Sequence, residues 1–206
     1  MATISTILWD VGGVLLTNGW DHHERAAVLS HFGVDREAFD QRHPEANDAW
    51  EKGLISVEEY LSRTVFDGPR QFTPGDFVEA MKAQSKRLDD SALGILADLA
   101  ASDTVTLGML NNEARELNDF RIQKFHLTDY FDLFLSSCYV GLRKPDARIF
   151  RLACDVLQRK PEEMAFVDDR PANVQAAKDI GMHGIVYEGA EKLKLELMDL
   201  GLLQWA

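Results

Sequence analysis

Short, uninterrupted apolar runs alternate with segments of helical periodicity along most of the chain. The apolar runs cover residues 7–9, 105–110, 133–135, 165–167 and 184–187. Runs of this kind predict strands that are buried on both faces, as in a parallel sheet. Helices are predicted between the later strands, over residues 91–101, 113–125, 145–157 and 171–180. The last two of these begin with proline, which suits the first position of a helix.

Residues 19–88 follow a different pattern. They contain no run of strand character, and their apolar residues recur at helical spacing. The segment Ser56–Glu59 reads SVEE, a capping-box signature that opens one of these helices. The fold prediction is therefore α/β, with a Rossmann-like parallel sheet core formed by residues 1–18 and 89–206. A small all-helical domain, residues 19–88, is inserted into this core.

Composition narrows the possible partners. The chain of 206 residues has a formal net charge of −12, which disfavours nucleic acid because phosphate binding needs clustered Lys and Arg. No apolar run reaches membrane-spanning length, and the N-terminal residues MATIST lack a targeting pattern. We therefore predict a cytoplasmic protein without nucleic-acid or membrane partners, and we leave the oligomeric state open. An anionic small substrate stays compatible with this charge if a metal or a local cluster of cations offsets it.

Polar residues and glycines follow the predicted strands at the points where these strands end. The carboxyl ends of parallel strands meet at one edge of a sheet, where ligands bind. We therefore expect the following residues to lie near one another: Asp10, Gly12 and Gly13 after the first strand; Asn111 and Asn112 after the second; Asp168 and Asp169 after the fourth; and Lys144 ahead of a helix.

Three grouped carboxylates repel one another, and a divalent cation relieves that repulsion. Mg²⁺ suits one or two carboxylates together with waters and a substrate phosphate. If Asp10 is a nucleophile, it must approach a dianionic phosphate, and the metal and Lys144 would screen the repulsion. Asn111 can donate a hydrogen bond to a phosphoryl oxygen. Gly12 and Gly13 let the backbone come close, so that the carbonyl group of Gly12 can ligate the metal.

The chain also carries four segments, LWDVGGVLL, GMLNNE, GLRKPDARIF and AFVDDRPANVQAA. In order and spacing these resemble the four motifs of the haloacid dehalogenase superfamily. The helical insert resembles the mobile cap of that family. The segment WEKGLISVEEYL in this cap resembles a cap segment of one branch of the family. That branch includes sugar-phosphate phosphatases and the N-terminal domains of epoxide hydrolases.

The resemblance implies a role for each matched residue. Asp10 would form an aspartyl-phosphate, Lys144 would hold the phosphate and the nucleophile together, and Asn111 would bind phosphate. Gly12, Gly13 and Asn112 belong to the same phosphate-binding segments. The implied Mg²⁺ ligands are Asp10, Gly12, Asp168 and Asp169, with Asn173 holding a metal-bound water. The function predicted in this way is a Mg²⁺-dependent phosphatase that acts on a small phosphorylated metabolite, such as a sugar phosphate.

Two positions depart from the family pattern. Asn111 stands where Ser or Thr is usual, and Gly12 stands where phosphatases of the family commonly carry an acid–base Asp. Three explanations of Gly12 are open: a cap residue among Asp21, His22, His23 and Glu24 replaces the acid; the substrate has a good leaving group; or the chain is slow or inert. Two alternative functions follow, a 2-haloacid dehalogenase with Asp10 as nucleophile and a non-catalytic phosphate-binding or regulatory module.

Overall fold

A computed structural model describes residues 3–88 and 90–203 of the chain. Its strands form one sheet with the order β3-β2-β1-β4-β5, and all neighbouring pairs are parallel. The central strand β1 is fully buried, which agrees with its uninterrupted apolar sequence. The predicted α/β fold is confirmed. The strands are β1 Thr6–Trp9, β2 Thr106–Asn111, β3 Leu133–Ser136, β4 Met164–Asp168 and β5 His183–Val186.

Helices flank this sheet and form the insert that follows β1. The helices of the insert are α1 His22–His31, α2 Arg36–Glu51, α3 Val57–Thr64 and α4 Pro74–Ala83. The helices of the core are α5 Asp90–Ser102, α6 Arg115–Lys124, α7 Ser137–Val140, α8 Ala147–Leu157, α9 Pro171–Asp179 and α10 Ala190–Asp199. Within the described ranges, none of these helices combines the length and the apolar character needed to cross a lipid bilayer.

The helix predicted over residues 145–157 begins later than expected. Asp146 is its N-cap, and its carboxylate accepts a hydrogen bond from the backbone N–H of Arg148. Pro145 therefore precedes the helix instead of opening it, because a capping carboxylate satisfies the first free N–H groups directly. Pro171 does open α9, as predicted, and Ser56 caps α3 by accepting from the N–H of Glu59. The predicted capping box is only half formed, because the carboxylate of Glu59 accepts from Arg63 instead of from the N–H of Ser56.

Separate apolar clusters hold the two faces of the sheet. Side chains of β1 alternate between them, so that Ile7 and Trp9 join the cluster that contains α5 and α10, while Leu8 joins the cluster that contains α8. Burial of this apolar area is the main force that holds helices against a sheet, at about 25 cal/mol per Å². Because both faces are covered, the polar end of β1 is the part of this strand that can reach a ligand.

The helical insert, called the cap below, has its own core, and this core reaches onto α6. Trp20, Phe39, Trp50, Tyr60 and Phe77 are its large buried residues, and Ala114 and Leu117 next to and within α6 pack against them. Polar contacts add to this docking, since Trp50 Nε1 donates to Glu116 Oε2 at 3.0 Å and Ser137 Oγ donates to the carbonyl of Glu51 at 2.6 Å. The cap is therefore seated on the core over the ends of the strands.

A buried chain of hydrogen bonds runs through the middle of the cap. Trp20 Nε1 donates to the hydroxyl oxygen of Tyr60 at 2.7 Å, and His43 Nδ1 lies 2.9 Å from the same hydroxyl group. When the His43 ring is neutral, its Nδ1 can accept the hydroxyl proton of Tyr60. Burial, and then the positive charge of Arg25, lower the pKa of His43 to about 4. The low pKa of His43 keeps its ring uncharged near neutral pH within this chain of hydrogen bonds.

Replacing His43 by Gln should flatten the dependence of stability on pH. The pKa of His43 falls from its ordinary 6.5 to about 4 on folding. Between pH 6.5 and about 4, His43 is therefore protonated in the unfolded chain but neutral in the folded chain. The wild-type chain should therefore lose stability as the pH falls through this window, by up to about 3 kcal/mol, with no contribution from His43 above it. Thermal unfolding followed by circular dichroism measures this slope. His31→Gln, exposed on α1, is the control, and parallel profiles for wild type and His43→Gln would contradict the expectation.

Candidate active site

The polar residues at the strand ends meet at the switch point of the sheet, where β1 lies between β2 and β4. Asp10 directly follows β1, Asn111 ends β2 and Asp168 ends β4. A cavity of about 250 Å³ lies over these residues and extends to the cap. Its wall comprises Asp10, Gly12, Asn18, Trp20, Asp21, Arg25, Asn47, Glu51, Asn111, Asn112, Glu113, Arg121, Arg143, Lys144, Arg170 and Asn173.

Lys144 is the buried cation at the centre of this site. Its ammonium group donates to the carbonyl of Leu110 at 2.7 Å and to Asp168 Oδ2 at 2.7 Å, and it lies 3.0 Å from Asp10 Oδ1. Its backbone is fixed as well, because Lys144 N donates to Asn112 Oδ1 at 2.8 Å and Asn112 Nδ2 donates to the Lys144 carbonyl at 2.9 Å. Asn112 therefore fixes the backbone of Lys144, and its predicted place in the phosphate-binding set stays a prediction.

Asp10 presents one oxygen to the cavity and keeps the other occupied. Its Oδ1 accepts from the backbone N–H of Val11 at 2.8 Å and faces Lys144, while Oδ2 makes no hydrogen bond within the described part of the chain. Burial raises the pKa of Asp10 to about 7; the charge of Lys144 opposes this rise and the charge of Asp168 adds to it. The carboxylate is therefore held in place but is poorly solvated.

Asp10, Asp168 and Asp169 form an acidic cluster that fits a divalent cation. One carboxylate oxygen from each lies within 4.8 Å of the others. Asp169 Oδ1 is buried without a hydrogen-bond partner, and burial together with the charge of Asp168 raises the pKa of Asp169. Desolvated carboxylates in such a group are costly unless a cation pairs with them, and hard oxygen donors suit Mg²⁺.

Both carboxylate oxygens of Asp168 already have hydrogen-bond partners. Asn173 Nδ2 lies 3.0 Å from both oxygens of Asp168, whose Oδ1 also accepts from the N–H of Arg170 at 2.8 Å. With Lys144 bound to Oδ2, every oxygen of Asp168 is engaged. In this arrangement Asp168 orients its neighbours, and Asp10 and Asp169 keep the free oxygens. The role of Asn173 in holding a metal-bound water stays a prediction.

The two glycines lie where side chains would collide with the site. A Cβ atom at Gly13 would lie 2.2 Å from Asp169 Oδ2, and the backbone there has φ +73°, a conformation that favours glycine. A Cβ atom at Gly12 would lie 3.1 Å from Asn18 Oδ1 and 3.9 Å from Arg121 Nη1. The groups nearest to the missing side chain of Gly12 are thus an amide and a guanidinium group, and neither can replace the acid–base Asp that is common at this position of the family.

Asn111 lies in the cavity wall and is held by Asn118. Asn111 Nδ2 donates to Asn118 Oδ1 at 3.1 Å, and the side-chain oxygen of Asn111 has no partner. Asn118 Oδ1 also accepts from Ser136 Oγ at 3.0 Å, so both amides are held in place. The role of Asn111 as a donor to phosphate stays a prediction.

Of the four cap residues that could replace the missing acid, only Asp21 lines the cavity. His22 and His23 are exposed, and neither they nor Glu24 lines the cavity, whereas Asp21 does. Partial burial alone would raise the pKa of Asp21, but hydrogen bonds from His22 and the charge of Arg170 lower it. Asp21 is therefore ionised near neutral pH and cannot give a proton to a leaving group.

Several residues of the cavity wall were missed by sequence reasoning, notably arginines paired with acids. Arg121 Nη1 lies 2.6 Å from Glu113 Oε2, and Arg143 Nη2 lies 2.6 Å from Glu51 Oε2. Burial raises the pKa of Glu113 to about 7 against the opposing charge of Arg121. Arg143 and Arg170 stand beside motif residues Lys144 and Asp169, a signal that could have identified them. Glu51 likewise lies within the cap segment WEKGLISVEEYL, whereas Arg121 has no such signal.

The sequence as a whole matches a known family. A family model described as haloacid dehalogenase-like hydrolase matches residues 4–181. The chain belongs to this hydrolase family. It is 32% identical over 176 residues to a protein named flavin mononucleotide hydrolase 1 of Arabidopsis thaliana, covering 85% of this chain and 70% of that protein. The predicted family membership is thereby confirmed.

Two further likenesses concern an epoxide hydrolase and a solved structure. Bifunctional epoxide hydrolase 2 of Rattus norvegicus is 31% identical over 133 residues, which are 63% of this chain but only 24% of that protein. A crystal structure of a haloacid dehalogenase family enzyme from Bacteroides thetaiotaomicron superposes with a TM-score of 0.82 at 20% identity, covering 95% of this chain and 98% of that one. At this identity the structure supports the fold.

Mg²⁺ should stabilise the wild-type chain and should no longer do so after Asp169→Asn. A ligand that binds only the folded state at about a hundredfold excess over its Kd raises Tm by about 5–10 °C for a chain of this size. The substitution removes one charge from a cluster whose oxygens lie within 4.8 Å of one another. Thermal unfolding with and without Mg²⁺ measures the shift. Asp155→Asn, exposed on α8, is the control, and an equal shift in all three proteins would place the ion elsewhere.

Proposed function

We propose that this chain is a Mg²⁺-dependent phosphatase that hydrolyses a small phosphorylated metabolite. The observation that carries the proposal is the arrangement around Asp10: a buried ammonium group 3.0 Å from its Oδ1, a free Oδ2, and two further carboxylates within metal-binding distance. The name of the Arabidopsis relative and the structure of the Bacteroides enzyme with magnesium and inorganic phosphate support it.

The reaction would proceed in two displacements at phosphorus. Asp10 Oδ2 attacks the phosphoryl group, forming an Oδ2–P bond as the bond from phosphorus to the leaving oxygen breaks. Lys144 stays beside Asp10 and screens the negative charge of the equatorial oxygens. Bound Mg²⁺, held by Asp10, Asp169 and the carbonyl of Gly12, would supply further charge neutralisation. Water then attacks phosphorus, which releases inorganic phosphate and regenerates the carboxylate of Asp10.

The alternative of a 2-haloacid dehalogenase agrees less well with the same residues. Asp168 and Asp169 would repel the carboxylate of a haloacid, and that substrate brings no cation to the buried, unpartnered oxygen of Asp169. The oxygens of a phosphate, in contrast, can bind the same Mg²⁺ ion as these carboxylates. The electrostatics of the acidic cluster therefore favour phosphate chemistry.

Asp10→Asn should abolish the release of phosphate from p-nitrophenyl phosphate. Asn has nearly the same size but is not a nucleophile, so a loss of about 10⁴-fold or more is expected, as for other nucleophile deletions. EDTA should remove the wild-type activity, and added Mg²⁺ should restore it. Retained activity in Asp10→Asn, or activity that survives EDTA, would refute the mechanism. Halide release from 2-chloropropionate without phosphatase activity would establish the dehalogenase instead.

The acids of the cavity wall also determine which leaving groups are cleaved well. Besides Asp10 the wall carries Asp21, Glu51 and Glu113, and each of these is paired with an arginine. Glu113 has a pKa near neutrality, yet its Oε1 accepts from Ala114 N at 3.2 Å and its Oε2 from Arg121. Among the described residues of the wall, every acid other than Asp10 is therefore engaged by an arginine, and we expect the substrate to carry a leaving group that is stable as an anion.

Aryl phosphates should therefore be hydrolysed much faster than alkyl phosphates. Because a positioned general acid contributes about 10²–10⁴-fold, kcat/KM should fall by at least about 10²-fold from p-nitrophenyl phosphate to an alkyl ester such as glycerol 3-phosphate. A series of phenyl phosphates with graded phenol acidity measures the trend. Equal kcat/KM values across the series would show that an acid acts, and selective loss of the slow substrates in Glu113→Gln would identify it.

A further inference from the structure

Arg25 differs from the other cations of the cavity wall. Lys144, Arg121, Arg143 and Arg170 each have a carboxylate within 4.0 Å. Among the described residues, Arg25 has none: its one hydrogen bond runs from Nη1 to the carbonyl of Trp20 at 2.6 Å. A half-buried guanidinium group thus retains unused N–H donors beside the cavity.

The position of Arg25 is fixed by the core of the cap. Trp20, which accepts from Arg25, is buried, donates to Tyr60 at 2.7 Å and packs edge-to-face against Phe39 and Phe77. Arg25 itself lies in the first half of α1, so both its backbone and one end of its guanidinium group are anchored. A cation that is held in place in this way loses little conformational freedom when a ligand binds, and therefore binds it more tightly.

No carboxylate of the described residues lies within 4.0 Å of Arg25 to neutralise its charge. This positive charge adds to the effect of burial in lowering the pKa of His43 in the adjacent cap core. Inside a partly desolvated cavity, an unpaired guanidinium group attracts an anion far more than it would in water. Its planar fork of donors matches the paired oxygens of a carboxylate or a phosphate.

We infer that Arg25 binds a second anionic group, a carboxylate or a phosphate, on the leaving-group part of the substrate. This inference rests on the proposed function. Lys144 and the acidic cluster belong to the core and, together with Mg²⁺ bound by the acids, would hold the phosphoryl group that is transferred. Arg25 belongs to the cap and lies on the wall of the same cavity. The cavity of about 250 Å³ is below the range of about 300–1,000 Å³ typical of drug-sized ligands, so a compact substrate can span it.

Matched pairs of phosphate esters test the inference. Each pair differs by one acidic group: phenyl phosphate and 4-carboxyphenyl phosphate, glycerol 3-phosphate and 3-phosphoglycerate, glucose 1-phosphate and glucose 1,6-bisphosphate. In the wild-type chain, the member with the second acid should have the higher kcat/KM in at least one pair, by about tenfold or more, as expected for a hydrogen bond to a charged group. The preferred pair distinguishes a carboxylate from a phosphate.

Substitution of Arg25 assigns the preference to this residue. Arg25→Ala should remove the preference, chiefly through KM, and Arg25→Lys should restore part of it because the charge remains. Arg36→Ala is the matched control, since Arg36 is exposed on α2 and paired with Asp40 outside the cavity. Thermal unfolding of each variant, and Arg25→Gln as a second neutral substitution, separate loss of binding from loss of folding.

Each outcome decides the question. Hydrolysis of p-nitrophenyl phosphate without a preference in any pair would refute the role of Arg25 and leave the proposed function standing. Hydrolysis of no phosphate ester would refute the proposed function. In that case, calorimetric titration with 4-carboxyphenyl phosphate, 3-phosphoglycerate and glucose 1,6-bisphosphate still tests Arg25. Equal Kd values for wild type and Arg25→Ala would overturn the inference, and a loss of affinity of about tenfold for one of these compounds would support anion binding alone.

Discussion

A single buried ammonium group organises the end of the sheet. Lys144 contacts the carboxylates of Asp10 and Asp168 and the carbonyl of Leu110, and thereby joins residues that end or follow β1, β2 and β4. One cation does not balance three carboxylates in a desolvated site, since burying unpaired charge is costly. The remaining negative charge, with the free oxygens of Asp10 and Asp169, is what makes the site suited to a second cation and, through it, to an anionic substrate.

The cations of the cavity wall attract an anionic substrate, whereas the net negative charge of the whole chain repels it. A chain with a formal net charge of −12 should repel a phosphorylated metabolite at long range. The cavity wall nevertheless carries four arginines in addition to Lys144, and three of these arginines are paired with acids while Arg25 is not. Two of the paired arginines connect cap and core, Arg143 with Glu51 and Arg170 with Asp21, whereas Arg121 and Glu113 both belong to the core. Arginines therefore contribute to the docking of the cap on the core, and the same kind of side chain is proposed to recognise the substrate.

The α/β core and the convergence of Asp10, Asn111, Lys144, Asp168 and Asp169 could be predicted because parallel strands end at one edge and each of these residues lies at or near such an end. Backbone hydrogen bonding determines this placement, so short-range patterns are enough. The function of Asn112, which binds the backbone of Lys144, could not be predicted, because it depends on a loop far away along the chain. Arg25 and Glu51 were missed for a similar reason: their helices dock over the site through the apolar core of the cap, and no local pattern encodes that docking.

The central claim is that a divalent ion allows an anion to sit beside Asp10. The coupling between Mg²⁺ and inorganic phosphate tests it most directly, because a shared site makes each ligand raise the affinity of the other by the same factor. Calorimetric titration of the wild-type chain with phosphate should give a Kd lower by about tenfold or more when Mg²⁺ is present, and titration with Mg²⁺ should show the same factor when phosphate is present. Phosphate affinity that is indifferent to Mg²⁺ would contradict the account.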